Sequence, residues 1–413
     1  TSDLTVQNAI TLDTSTEGLS TGEADLILKS ALTMSNGLLD STGGTWEFNG
    51  DFNKTSGTLS ITGTDLTLTN NITLTSDEAL SFVFVTLNLN NFTLTLGSST
   101  SDLTVENAIT IDASTEGIST GEADLILNSA LTMSNGLLDS TGGTWKFTGD
   151  FNKTSGTLSI TGTDLTLTNN ITLTSDEALS FVTLNLNDFK LTLGSATSDL
   201  TVKSLFTDFI SSITEGISTG GADLILKSHL IITGDGSVTS TSGEVSFLAG
   251  GRLSGSGELD LSGSTWVLGG DFEKRPEVGK QLSGTLTISQ TDFKLADNST
   301  LTSDEALNFV NLNLNNFTLT LGSSTSDLTV QNTITIDSSG EGLLTGEADL
   351  ILLSSLTMSQ GLLGSTGGTW VLIKDFLKSG GTLTISQTDL ELKDSIKLTS
   401  DQALSFVFAT LNL

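Results

Sequence analysis

Two neighbouring acidic residues recur once per repeat of this sequence, inside the motif Thr-Ser-Asp-Glu-Ala-Leu. Paired carboxylates can bind calcium, or they can act together as general acid and base. The same motif also forms a capped turn before a strand, and an element that recurs four times suits architecture better than a unique active site. We therefore expect no catalytic residue and no required cofactor, and we keep calcium as an alternative at these acids. The candidate calcium ligands are Asp77, Glu78, Asp176, Glu177, Asp304 and Glu305, and the fourth copy of the motif reads Asp401-Gln402.

A short basic segment stands out in the otherwise acidic chain. Lys274, Arg275 and Lys280 flank Pro276, the only proline, in a stretch without strand-like alternation. This pattern predicts a protruding loop near 275–282 that contacts an acidic partner or a neighbouring copy. A merely solvated loop is the alternative.

The single histidine, His229, stands where the first two repeats carry Ala31 and Ala130. A Ser-His-Asp relay would require one repeat to differ from the others in a pocket, so we expect a histidine at the surface or at a coil edge. One tryptophan per repeat could in principle form a ligand platform, but the alternation around it predicts packing in the core. These are Trp46, Trp145, Trp266 and Trp370.

Pairs of threonines separated by one residue, such as Thr67 and Thr69, are typical of ice-binding β-solenoids. The array is incomplete, because outward positions on equivalent strands also hold Asn88 and Lys29. Ice binding is therefore a less favoured alternative.

The composition limits the classes of function. The 413 residues carry a formal net charge of −32, which opposes binding to a phosphate backbone, so no nucleic acid partner is expected. The absence of cysteine excludes disulfides and thiolate zinc sites. No apolar run has transmembrane length and no signal peptide is recognisable, while a start at Thr1 suggests a processed or excerpted chain.

Long internal repeats organise the whole sequence. The string Thr-Ser-Asp-Leu-Thr-Val begins at positions 1, 100, 197 and 325, which gives steps of 99, 97 and 128 residues by subtraction. We expect one continuous solenoid over 1–413, in which the third repeat has an added coil near 243–263 and the loop near 275–282. The four repeats are 1–99, 100–196, 197–324 and 325–413, the last of which reads as truncated.

A finer period divides each repeat into coils of roughly 20 residues. Strand-like segments that begin at Asp3, Asp25, Trp46, Asp65 and Leu87 follow one another at steps of 22, 21, 19 and 22 residues. Such a coil cannot bury its apolar face alone, whereas stacked coils bury a continuous core. The sequence thus predicts an all-β fold, a right-handed parallel β-helix of about 20 coils, which at the usual strand spacing would be on the order of 100 Å long.

The repeated segment from Gly57 to Leu68, Gly-Thr-Leu-Ser-Ile-Thr-Gly-Thr-Asp-Leu-Thr-Leu, resembles bacterial β-strand-repeat surface proteins and filamentous-haemagglutinin-like adhesins. The resemblance implies an extracellular or cell-surface β-helix that serves as a filament, sheath or adhesin stalk. Its expected partner is another copy of itself, end to end or laterally, with a carbohydrate or host surface as an alternative. Pectin-lyase-type enzymes share the fold but carry a local cluster of Asp, Arg or Lys that this sequence lacks, so a non-enzymatic role is expected.

Overall fold

The computed structural model describes residues 2–79, 82–205, 209–211, 214–276, 283–401 and 406–413. These residues form 56 strands and no helix. The parallel strands stack as a β-solenoid of about 19 turns, which confirms the predicted fold class. The chain divides into two compact bodies, Thr1–Leu200 and Thr201–Leu413, which we call the N-terminal and the C-terminal body.

The N-terminal body contains the strands of the first two repeats. Those of the first repeat are β1 (Leu4–Val6), β2 (Ile10–Leu12), β3 (Gly18–Gly22), β4 (Leu26–Leu28), β5 (Leu32–Met34), β6 (Leu38–Ser41), β7 (Thr45–Phe48), β8 (Phe52–Lys54), β9 (Thr58–Ile61), β10 (Asp65–Leu68), β11 (Ile72–Thr75), β12 (Phe82–Phe84), β13 (Leu87–Asn88) and β14 (Thr93–Leu96). Those of the second are β15 (Leu103–Val105), β16 (Ile109–Ile111), β17 (Gly117–Gly121), β18 (Leu125–Leu127), β19 (Leu131–Met133), β20 (Leu137–Ser140), β21 (Thr144–Phe147), β22 (Phe151–Lys153), β23 (Thr157–Ile160), β24 (Asp164–Leu167), β25 (Ile171–Thr174), β26 (Leu179–Asn185) and β27 (Lys190–Leu193).

The C-terminal body contains the strands of the third and fourth repeats. Those of the third repeat are β28 (Leu200–Leu205), β29 (Phe209–Ile210), β30 (Gly216–Ser218), β31 (Leu224–Leu226), β32 (Leu230–Ile232), β33 (Ser237–Thr239), β34 (Glu244–Phe247), β35 (Gly251–Leu253), β36 (Gly255–Asp260), β37 (Thr265–Leu268), β38 (Phe272–Lys274), β39 (Ser283–Thr287), β40 (Asp292–Leu295), β41 (Ser299–Thr302), β42 (Leu307–Phe309), β43 (Leu312–Asn313) and β44 (Thr318–Leu321). Those of the fourth are β45 (Leu328–Val330), β46 (Ile334–Ile336), β47 (Gly342–Leu344), β48 (Leu350–Leu352), β49 (Leu356–Met358), β50 (Leu362–Ser365), β51 (Thr369–Leu372), β52 (Phe376–Lys378), β53 (Thr382–Ile385), β54 (Asp389–Leu392), β55 (Leu398–Thr399) and β56 (Thr410–Asn412).

Strands of successive coils pair in parallel, so that each coil lies directly on the one before. In the ladder β1, β4, β7, β10 and β13, Leu4 lies opposite Leu26, which lies opposite Trp46. Trp46 in turn lies opposite Leu66, and Leu66 lies opposite Leu87. These are the partners that the spacing of the sequence predicts, so the predicted register is confirmed.

Alternation along each strand separates the core from the outer surface. Leu66 and Leu74 have no exposed surface, whereas Thr67 and Thr73, on the opposite face, are half-buried. Burying a leucine side chain completely stabilises the fold by roughly 1.5–3 kcal/mol relative to leaving it exposed. A repeated column of leucines is therefore a main source of stability in each body.

The tryptophans lie in the core, as predicted. Trp46 has no exposed surface, and its ring centroid lies 5.5 Å from that of Phe48 and 6.2 Å from that of Phe84. The other three are buried to the same extent, namely Trp145, Trp266 and Trp370. None of the four presents a ring to a ligand at the surface.

Equivalent positions of consecutive repeats within one body lie on different ladders. Trp46 lies on β7 in the ladder of β10, whereas Trp145 lies on β21 in the ladder of β12. Since β10, β11 and β12 follow one another around one coil, those two ladders are different sides of the solenoid. The cause is that strands β1 to β14 of the first repeat are not a whole number of three-stranded coils. The C-terminal body behaves alike, with Trp266 on the ladder of β40 and Trp370 on the ladder of β42.

Asparagines form the bends between strands, as predicted. Asn90 and Asn91 have φ angles of 49° and 69°, a left-handed conformation that asparagine tolerates better than most residues. The Asn90 amide donates to Oδ1 of Asn88 at 3.1 Å, and its Nδ2 donates to the Leu68 carbonyl of the preceding coil at 3.0 Å. The asparagines therefore fix both the bend and the contact between coils.

The third repeat contains one coil more than the others. Strand β34 lies between β31 and β37, so that Val245 lies opposite both Leu224 and Trp266. Residues 243–263 supply this coil. The tip of the loop near 275–282 lies outside the described residues from position 277 onward.

Candidate functional site

A lysine points into the solenoid at one corner of each repeat. Lys54 ends β8, on the same inward face as Phe52, and its side chain has no exposed surface. It lies opposite Met34 of the preceding coil, which is also fully buried. A buried ammonium needs a countercharge, because desolvation alone strongly disfavours the charged form.

The countercharge comes from the acidic pair of the next coil. The Lys54 ammonium donates to Oδ1 of Asp77 at 2.5 Å and lies 3.1 Å from Oε2 of Glu78. The Glu78 amide donates to the Ser76 hydroxyl at 3.2 Å, which forms the turn that carries both carboxylates. We call Lys54, Ser76, Asp77, Glu78 and their equivalents the lysine corner.

All four repeats have this corner. Lys153 binds Asp176 and lies 2.9 Å from Glu177. In the third repeat Lys274 lies 2.5 Å from Asp304 and 3.3 Å from Glu305. In the fourth, Lys378 lies 2.5 Å from Asp401, while Gln402 is outside the described residues. The four lysine side chains are at most 2% exposed, whereas the carboxylates are partly exposed.

The ion pair shifts the pKa values of both partners. The hydrogen bond from Lys54 lowers the pKa of Asp77 against the opposing effect of burial, and Lys378 lowers the pKa of Asp401 in the same way. Burial alone would lower the pKa of Lys153. Hydrogen bonds to Asp176 and Glu177, together with their charges, outweigh burial and raise that pKa above its ordinary value.

A group of hydroxyls surrounds the acidic turn on the next coil. The hydroxyls of Ser98 and Thr100 donate to the Ser76 carbonyl at 2.9 and 2.6 Å, and the Ser76 amide donates to the Ser101 hydroxyl at 2.9 Å. Equivalent bonds join Ser175 to the following coil of the second repeat. The lysine corner therefore connects three coils through polar contacts.

This arrangement bears on the calcium alternative. Each candidate acidic pair faces a lysine ammonium, which a cation would have to displace. Among the described residues, no group of three or more His, Asp or Glu side chains is placed to hold a metal ion. What the corner can do chemically is neutralise charge and hold adjacent coils together.

The three residues of the predicted basic loop have different positions. Lys274 ends β38 and is buried in the lysine corner, so its ammonium points inward instead of toward a partner. Arg275 is exposed and its Nε lies 3.0 Å from Oε2 of Glu273. Lys280 lies outside the described residues. A partner contact in this segment is thus left with Arg275 as its described cation.

A second recurring element, which sequence reasoning missed, is a glutamate that binds backbone amides. Oε2 of Glu116 accepts hydrogen bonds from the Asp112 and Ala113 amides at 2.8 and 3.1 Å, and Oε1 accepts one from the Asn91 amide at 3.2 Å. Burial alone would raise the pKa of Glu116, but these amides lower it. The signal was the recurrence of Glu-Gly once per repeat, as at Glu17.

Aspartates at other corners also bind the backbone of the next coil. Oδ1 of Asp25 accepts from the Thr45 amide at 2.8 Å, and Oδ1 of Asp51 accepts from the Thr73 amide at 2.7 Å. Much of the negative charge of the chain therefore has a structural use, since a carboxylate is a strong acceptor for an amide that the ladder leaves free.

Among the residues that the structure describes, no helix is long and apolar enough to cross a membrane. No protein-family model, curated protein or solved structure matches the chain. The class is defined by the fold and its repeated corner: this is an all-β repeat protein built as a parallel β-solenoid, whose coils are joined by recurring buried lysine ion pairs.

Proposed function

We propose that this chain is a structural repeat protein of the cell exterior, which forms an elongated rod, filament or sheath and has no enzymatic activity. The observation that carries the proposal is the lysine corner. The one polar constellation that recurs in every repeat is used to hold coils together, so it supports a scaffold instead of a reaction.

The rotation of equivalent positions around the solenoid also favours a scaffold. A surface site repeated once per repeat would move to a different side in the next repeat of the same body, as Trp46 and Trp145 do. Such sites do not line up as one continuous face, whereas coil stacking is indifferent to the side. The same rotation counts against ice binding by a flat threonine array, for which thermal hysteresis is the direct test.

The net charge of −32 determines how assembly should depend on salt. Copies of the chain repel one another at low ionic strength, and the repulsion is screened as the Debye length falls from about 30 Å at 0.01 M to about 10 Å at 0.1 M salt. We therefore expect negative-stain microscopy to show particles longer than about 100 Å at 0.15 M salt and shorter ones at 0.01 M. Short dispersed monomers under both conditions would contradict the proposal of assembly.

An adhesin stalk is the second candidate, favoured by the exposed Arg275 beside a loop with an irregular sequence. In this case the third repeat would contact a carbohydrate or host surface. Deletion of residues 275–281 should then reduce attachment of cells that display the chain, while leaving its melting temperature within a few degrees of the parent. Unchanged attachment would remove this local contact.

A further inference from the structure

The third repeat has an outward-facing cleft of about 320 Å³ in the C-terminal body. Its volume lies at the lower end of the range for small-molecule sites, roughly 300–1,000 Å³, which suits a small ligand better than a polymer. The polar residues that line it are His229, Arg252, Asp271, Glu273, Thr300 and Thr302.

The added coil creates this cleft. The ladder places Leu230 opposite Gly251 and Gly251 opposite Phe272, so the preceding residues, His229, Gly250 and Asp271, form the neighbouring row. Gly250 has a φ of +77° and no side chain, which leaves a gap between His229 on one side and Asp271 on the other. A Cβ at Gly250 would lie 2.1 Å from the Asp271 carbonyl, so the gap cannot be filled there without moving the backbone.

Arg252 supplies an unmet donor to the cleft. It lies on β35, opposite Ile231 and Glu273. Its Nε is buried and has no hydrogen-bond partner among the described residues. The neighbouring carboxylate of Glu273 pairs instead with Arg275 at 3.0 Å. A guanidinium in this state matches a planar carboxylate, which it can bind through two parallel hydrogen bonds.

Asp271 supplies an acceptor on the other side of the cleft. Its Oδ1 accepts the Thr300 amide at 2.7 Å, which fixes the carboxylate and leaves Oδ2 without a partner in the described part of the chain. Arg252 and Asp271 are on adjacent strands with an offset of two residues, so their backbones are about 8 Å apart. This separation leaves room for a small molecule with a negative group at one end and a positive group at the other.

We propose that this cleft binds a small zwitterion of the α-amino-acid class, with its carboxylate on Arg252 and its ammonium on Asp271. A simple anion would be repelled by Asp271 and Glu273, and a simple cation would leave the Arg252 donor unmet and charged. The site is independent of the scaffold role, because it occurs in one repeat and its coil is absent from the others.

The single histidine of the chain gives a direct reading of the site. Because His229 is unique and lines the cleft, its ring proton resonances in ¹H NMR need no further assignment. The full chain is titrated at constant pH with L-alanine as the zwitterion, acetate as the carboxylate alone and methylamine as the ammonium alone. We expect a saturable shift with L-alanine, with a Kd at least about tenfold below those of acetate and methylamine.

Two variants test the two contacts separately. Arg252→Gln should weaken L-alanine binding by at least about tenfold, as expected for loss of a charge-assisted hydrogen bond. Asp271→Asn keeps the acceptor for the Thr300 amide but removes the charge, and it should weaken binding similarly. Lys146→Gln, at an outward lysine of β21 in the N-terminal body, is the matched control and should bind like the parent.

Three results would overturn the proposal. These are the absence of a saturable His229 shift up to about 50 mM L-alanine, acetate binding as tight as that of L-alanine, or unchanged affinity in either cleft variant. If Arg252→Gln does not fold, as judged by circular dichroism, the Asp271→Asn variant and the comparison of the three probes decide the question.

Discussion

The Lys54 ammonium lies 2.5 Å from Oδ1 of Asp77, a residue 23 positions further along the chain and one coil away. The lysine is fully buried, whereas 38% of the Asp77 side-chain surface is exposed. The pair thus joins an interior charge to a surface charge across two coils. Because solvent reaches the carboxylates but not the ammonium, the two sides of the pair should respond differently to mutation.

The first prediction compares the two sides of the corner in the second repeat. Lys153→Met places a side chain like that of its neighbour Met133 in the core, and we expect a loss of less than about 1 kcal/mol in the free energy of unfolding. The double variant Asp176→Asn/Glu177→Gln leaves a buried ammonium without a countercharge. Its loss should approach roughly 3 kcal/mol, near the low end for a broken buried pair because the acids are solvent-accessible.

Urea denaturation followed by tryptophan fluorescence measures both losses. A matched control is Glu122→Gln, an acid of the same repeat with no part in the lysine corner, which should be within about 0.5 kcal/mol of the parent. A larger loss for Lys153→Met than for the double acid variant would show that the corner is held by the lysine stem and not by charge.

The second prediction concerns acid. Lys54 lowers the pKa of Asp77 in the folded chain, so the contribution of this pair is complete above the unfolded value of about 3.9. It is lost as the pH falls through the lower folded pKa. The melting temperature should therefore fall below about pH 4, and the difference between the parent and Asp77→Asn should shrink there. A difference that is the same at pH 7 and pH 2 would contradict this assignment.

The third prediction concerns alkali. The pKa of Lys153 is raised in the folded chain, so its contribution is complete below the unfolded value and is lost as the pH rises through the folded pKa. The parent should keep its melting temperature up to about pH 10 and lose stability above it. Lys153→Met should show a smaller loss over the same range. Equal losses in the two proteins would assign the alkaline transition to other groups.

The sequence was sufficient to predict the stacking of coils, and the reason is physical. A leucine in phase with its strand must point inward, and identical spacing from Leu4 to Leu26 and Leu66 places one leucine above another. These constraints are local and repeat along the chain. They predict both the fold class and the register.

The lysine corner was harder to predict, because lysine is rarely buried. Lys54 is in phase with Phe52, so alternation alone assigns it to the core, whereas its charge suggests the surface. The missing information was that the acids one coil later are within reach. Recurrence could have shown it: the interval from Lys54 to Asp77 is 23 residues, and that from Lys274 to Asp304 is 30, longer by the seven residues of the insertion.

The Arg252 cleft could not be predicted from the spacing of residues. It depends on a missing side chain at Gly250 and on the choice of Glu273 to pair with Arg275 instead of Arg252. Neither is a property of the local pattern. The sequence indicated only that the third repeat differs from the others.

The fourth prediction concerns calcium. Because Lys54, Lys153 and Lys274 already neutralise the candidate acidic pairs, we expect the melting temperature to be the same within error in calcium and in EDTA. Lys54→Met frees Asp77 and Glu78 and is the informative comparison. A calcium-dependent rise confined to this variant would fit a pair released from its lysine, whereas a rise of several degrees in the parent would show that calcium binds despite it.

The fifth prediction tests the close approach of coils at Gly97. The register places Gly97 opposite Thr75, and a Cβ at Gly97 would lie 2.1 Å from Thr75 Oγ1. Its φ is outside the left-handed region, so Gly97→Ala acts through this contact and not through backbone strain. We expect a loss of about 1–3 kcal/mol, as for other overpacked sites.

A double-mutant cycle separates the contact from any general effect of alanine. In a Thr75→Ala background the nearest remaining atom listed for that residue, its Cβ, is 3.2 Å from the new methyl group, so Gly97→Ala should then cost less than about half as much. Gly43→Ala is the control, because its nearest neighbour is a flexible side-chain carbon at 3.4 Å. Equal costs for Gly97→Ala with and without Thr75 would place the constraint in the backbone of the corner, and the equivalent glycines Gly194 and Gly322 should then behave in the same way.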